Sequence, residues 1–175
     1  MSTADIAAWQ VFFSVVAQVG ATLAGLLFVG LTISLQHVLA ARGYLTRAFA
    51  SLFLQFEILL IGIFGLIPNQ PSFALGIELI IGGVAVFGAI FLFSRNFPED
   101  ENSTVLSSRL PRTARPFMTA TGTLLPAISG VCLIVGWRGS LYLLIPAIVA
   151  CIYRAIGYAW VFAVEIPRRA EEKRK

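Results

Sequence analysis

Charge is scarce in this chain. Only 13% of its 175 residues are Asp, Glu, Lys or Arg, whereas roughly a quarter are charged in ordinary soluble domains. With a mean hydropathy of +0.85, the chain lacks the ionic groups to cover a water-facing surface, which excludes an ordinary soluble fold. Histidine is nearly absent as well. The single His37 has no His, Cys or carboxylate beside it in sequence, too few ligands for zinc or haem. Cysteine is limited to Cys132 and Cys151. Both fall inside apolar runs at different depths, so they read as small apolar fillers rather than a bridge. No Gly-rich phosphate loop, GxGxxG, HExxH or CxxC occurs. No cofactor or metal is expected, and the chain does not read as an enzyme.

What it has is length of hydrophobic run. Five stretches reach spanning length, at 9–36, 48–67, 73–94, 117–136 and 141–164, since about 20 helical residues cross a hydrocarbon core of about 30 Å. They predict an all-α polytopic membrane bundle of five transmembrane helices in one integral membrane domain, 1–175. The first run has no Lys or Arg before it and is about twice the length of a signal-peptide core, so it is expected to stay as a helix.

The basic residues fix an expected orientation. Of 13 Lys and Arg, Arg42, Arg47, Arg95, Arg109, Arg112, Arg115 and the tail group Arg168, Arg169, Lys173, Arg174 and Lys175 lie on one side. Arg138 alone lies on the other, and Arg154 lies within a run. The positive-inside rule then puts the N-terminus outside and the C-terminus in the cytoplasm. A bacterial-type inner (plasma) membrane is the expected location. The net charge of +4 is a topology signal and implies no nucleic acid. Trp9, Trp137 and Tyr142 belong to the outer interface, and Tyr44, Phe97 and Trp160 to the inner one.

The connections are short except for 95–116. Pro68-Asn69-Gln70-Pro71 closes one helix and opens the next as an outer hairpin. The cytoplasmic loop 95–116 runs from acidic through Ser-rich to basic, with a short interfacial helix expected over 103–110. Its Asn102-Ser103-Thr104 sequon is read as chance, because a cytoplasmic loop never meets the glycosylation machinery. The polybasic tail 167–175 suits anionic lipid headgroups.

Polar residues within the runs are the candidate functional positions. Gln10, Ser14, Gln18, Thr22, Gly25, Thr32 and Gln36 share one face of the first helix at 100° per residue. Hydrogen-bonding side chains turn away from acyl chains, so this face is expected to point inward, as the lining of a hydrated path or as a helix seam. In the second run Ser51, Gln55, Gly62 and Gly65 share a face, and Glu57 lies about 120° around from them. Glu78 lies in the third run, beside the small residues Gly82, Ala85 and Ala89. Pro126 interrupts the backbone hydrogen bonds of the fourth, and Arg154 sits near the middle of the fifth, one turn from Tyr158. Ionisable groups in a membrane segment are expensive and mark functional positions.

Glu57 and Arg154 lie at similar depth, which leaves two readings open, a static ion pair that docks the fifth helix or an arginine that serves as an anion or counter-ion site in a hydrated path. Glu78, at another depth, is expected to lack a partner and so to exchange a proton or a cation. These residues point to an oligomeric ion or proton channel or transporter, a likeness of charge placement rather than of any motif. The alternative is a non-transporting accessory or assembly subunit of a larger membrane complex. Membrane lipid, a second copy or another membrane protein, and a small ion are the expected partners.

Overall fold

A computed structural model describes residues 6, 8–33, 35, 42–96 and 114–160. Within these residues the chain forms five α-helices and one 3₁₀ turn, with no strand. They are α1 (Gln10–Ile33), α2 (Arg42–Leu66), α3 (Ser72–Asn96), α4 (Ala114–Val135), the 3₁₀ turn (Ser140–Leu143) and α5 (Leu144–Trp160). Gln36, His37, the sequon, the expected helix at 103–110 and the basic tail lie outside the described residues, as does the side chain of Tyr158.

The fifth apolar run opens differently from the expectation. Its first turn is 3₁₀, and Pro146 explains why. Proline has no N–H to donate to the carbonyl of Tyr142 four residues back, so an α-helical ladder cannot start there, whereas the first turn of an α-helix tolerates the ring. Pro126 lies inside α4, which stays helical on both sides of it.

Three helical stretches, Gln10–Ile33, Ala48–Leu66 and Ser72–Arg95, are long and apolar enough to cross a membrane. The apolar stretches described in α4 and α5, Ala120–Val135 and Ser140–Arg154, are shorter. Large apolar side chains face outward on every helix, among them Phe28, Ile81, Val131 and Val149. Water-soluble monomers rarely expose contiguous apolar area on this scale. The exterior is that of a membrane-embedded protein.

α2 is the central helix. Half of its apolar window is buried, against 22% for α1 and 33% for α3. In lipid there is no hydrophobic drive to bring helices together, so close backbone approach carries the packing. The α1–α2 seam is built that way. A Cβ on Gly62 would sit 2.5 Å from the Ala17 nitrogen, one on Gly20 would sit 2.9 Å from the Leu59 nitrogen, and one on Gly65 would enter the Phe13 ring. The α3–α4 seam uses Gly76 against Gly130, and Gly83 against the Thr123 carbonyl. Gly122 of α4 packs on the Cys151 sulfur of α5.

The connections gather one end of each helix together. α2 closes at Pro68-Asn69, with Asn69 at φ 54°, and the Pro71 carbonyl accepts the N–H groups of Ala74 and Leu75 as α3 begins. α4 ends on Gly136 at φ 87°. The Trp137 N–H reaches the Cys132 carbonyl and the Gly136 N–H the Leu133 carbonyl, the paired bonds of a Schellman cap. The Ser129 hydroxyl then donates to the Ser140 carbonyl at 2.7 Å, fixing the turn onto α4. At this hairpin end Trp9 meets Tyr142 edge-on, with centroids 4.9 Å apart. At the opposite end Phe49 of α2 stacks on Phe93 of α3 at 3.9 Å.

Candidate functional site

The two acids line one cleft. Glu57 of α2 lies there with Leu60, Ile61 and Phe64, facing Glu78, Leu79, Gly82 and Gly83 of α3 and Pro126 of α4. Spacing explains the grouping, because residues 57, 60, 61 and 64 follow the three-and-four rhythm of one helix face. The missing side chain of Gly82 leaves room opposite, while Gly83 lets the Thr123 carbonyl of α4 approach closely. The cavity is about 10 Å³, room for about one water molecule. Among the described residues, α2, α3 and α4 thus enclose a pocket and not an open path.

Glu57 is 1% exposed, and neither of its carboxylate oxygens has a hydrogen-bond partner. Of the two readings left open for Glu57 and Arg154, a hydrogen-bonded pair is not formed. The reason is the side of α2 on which Glu57 falls, since it is directed into the α3–α4 cleft while Arg154 belongs to α5. Cys151, buried on α5, lies within electrostatic reach of both Glu57 and Arg154, and Arg154 itself is half-buried. Both cysteines are free.

Glu78 has a partner, contrary to the sequence expectation. The Gln70 amide nitrogen donates to its Oε2 at 2.6 Å. Gln70 is buried in the hairpin between Pro68 and Pro71, and its amide oxygen has no partner. A loop residue eight positions away escapes any reading based on helix faces, and the available signal was an amide held between two prolines just ahead of the acid. Removing the amide with Gln70→Ala is expected to lower stability by about 1–2 kcal/mol, seen as an earlier thermal unfolding midpoint in detergent. An unchanged midpoint would show that this contact does not hold the hairpin to α3.

The opposite side of α2 is also polar. Ser51 and Gln55 are fully buried, and the Ser51 hydroxyl and both Gln55 amide atoms lack partners. They share the face that carries Gly62 and Gly65, as the spacing predicts, and that face packs on α1. Among the described residues, the central helix thus holds three buried polar side chains on two sides, and an unsatisfied buried polar group costs roughly 1–3 kcal/mol.

The polar stripe of α1 does not join this site. Gln10, Gln18, Thr22, Gly25 and Thr32 are exposed and Ser14 is half-buried, so the stripe points away from the bundle rather than inward. α1 packs through Phe13, Val16, Gly20, Leu27 and Gly30 instead. Those residues lie on the opposite face, and Gly20 there fits the backbone of α2.

No family model, curated protein or solved structure matches the chain. Among the described residues no group of three His, Cys, Asp or Glu converges on a metal position.

Proposed function

We propose that this is a five-span inner-membrane protein, N-terminus outside and C-terminus cytoplasmic, that carries protons or a small cation as a homo-oligomer. The observation that carries the reading is Glu57, a carboxyl 1% exposed with no hydrogen-bond partner on either oxygen. An acid held so in a membrane segment is costly, and it persists where it binds and releases a proton or a cation. Glu78 supports the reading as a second station. It lines the same cleft about 9 Å along α3 from the hairpin end, with Gln70 beside it. A cavity that holds about one water suits a proton or a bare monovalent ion better than a larger solute. The skew of basic residues supports the orientation.

The accessory-subunit reading also has an observation in its favour. The polar stripe of α1 faces out of the protomer, as a seam awaiting another chain would. Reconstitution separates the two. Proteoliposomes of the purified protein, under an imposed potential, are expected to take up protons or a monovalent cation. Glu78→Gln is expected to slow uptake roughly tenfold, below the 10²–10⁴ that a positioned proton-transfer group contributes in enzymes. Vesicles tight to protons, sodium and potassium alike would leave the accessory reading in place.

A further inference from the structure

The outward stripe of α1 poses a hydrogen-bonding problem that the protomer does not solve. The Thr22 and Thr32 hydroxyls are looked after, each donating to a backbone carbonyl one turn back at 2.8 Å. Gln18 donates one N–H to the Ser14 hydroxyl at 3.1 Å. That leaves the second N–H and the carbonyl oxygen of an exposed amide, on a helix of spanning length, and acyl chains offer neither donor nor acceptor. Beside it Ala21 and Gly25 are exposed too, and a Cβ placed on Gly25 would meet nothing within 4 Å. The face therefore combines an unsatisfied amide with a shallow notch where another backbone fits closely.

From this we infer that α1 is the contact between two copies of the chain, crossing its own counterpart about a two-fold axis with the Gln18 amides paired across it. Two features select a second copy as the occupant. An amide carries donors and acceptors alike and the stripe bears no charge, so the face complements itself, as a two-fold contact requires. Of the outward residues of α3 and α5, Ile81, Val84, Val149 and Ile156 supply no hydrogen bond and Tyr153 offers a single hydroxyl, whereas a second Gln18 amide returns a donor and an acceptor on two separate atoms. The inference deepens the oligomer part of the reading above. It rests on membrane embedding and not on ion movement, so it stands or falls separately from transport.

The test counts subunits of the fluorescently labelled full-length chain in lipid bilayers by single-molecule photobleaching across a dilution series. Wild type is expected to be dimeric. Gly25→Trp and Gln18→Leu are expected to weaken the dimer by about tenfold or more. Val84→Trp, the same added bulk on an outward position of α3 that is 55% exposed, is expected to leave it intact. Thermal unfolding in detergent guards against misfolding, since a Cβ added at Gly25 meets nothing within 4 Å and Gly25→Trp should keep the wild-type midpoint. A monomer at every dilution would overturn the inference, and so would a dimer indifferent to Gly25→Trp and Gln18→Leu, or one broken by Val84→Trp. Flux is not measured, so failure here leaves the ion-carrying reading to its own experiment.

Discussion

Gly62→Leu is expected to be among the most destabilising single substitutions in the bundle. A Cβ at this position would stand 2.5 Å from the Ala17 nitrogen and 2.7 Å from both its Cα and its Cβ. Two of those atoms are backbone, so no rotamer change relieves the clash, and α1 as a whole must move off α2. Overpacking a fitted core commonly costs about 1–3 kcal/mol. Here the displacement also opens the neighbouring contacts of Gly20 with Leu59 and of Gly65 with Phe13. A loss of about 3 kcal/mol or more follows, a fall of roughly 6–12 °C in the unfolding midpoint by the scaling for chains of this length. Gly88→Leu supplies the control, because a Cβ there would meet nothing within 4 Å and the midpoint should hold. Equal effects at the two glycines would mean that α1 is not seated on α2 through this seam.

That seam also explains why one part of the molecule was harder to read than another. The long apolar runs and the proline-bounded hairpin at 68–71 declared the helices and most of their ends, because composition and proline chemistry act locally. Which neighbour a helix face meets is a different kind of fact. For α1 the hydrogen-bonding residues favour turning Gln10, Ser14, Gln18 and Thr22 inward, whereas the structure packs the opposite face, through Phe13, Val16 and Gly20. Packing decides within the bundle, consistent with polar contacts in membranes averaging only about 0.6 kcal/mol each. The threonine hydroxyls also have backbone carbonyls of their own helix to use.

For α2 the face arithmetic correctly separated Glu57 from Ser51 and Gln55. It had no means of choosing between α3, α4 and α5 as the neighbour of Glu57, because a central helix has partners all round. Hence Arg154 looked like the natural counter-ion and the shared cleft with Glu78 went unseen. Gln70 was invisible for a simpler reason. Its contact with Glu78 depends on the chain reversing at Asn69, which places a loop amide over the first turns of α3.

Glu57→Leu is expected to raise stability and abolish ion uptake together. In the native fold the side chain is a liability in either protonation state. As a carboxylate it is a charge without a hydrogen bond, and as an acid it is a buried O–H donor with nothing to receive it. Leucine is of similar size, fits among Leu60, Ile61 and Leu79, and removes the desolvated group outright. Eliminating an unsatisfied buried polar group in favour of an apolar one of like shape is expected to gain about 1–3 kcal/mol, a rise of several degrees in the unfolding midpoint. Glu57→Gln keeps the shape and leaves an unsatisfied amide in place of the acid, so its midpoint should stay near wild type while uptake is lost just as fully. The pair separates two roles that a single variant confounds. Loss of uptake in both, with a stability gain in leucine alone, identifies a group kept for exchange and not for packing. A fall in midpoint with Glu57→Leu would say the reverse. The carboxylate would then be held by a counter-charge, and its place in the cleft would be that of a structural ion.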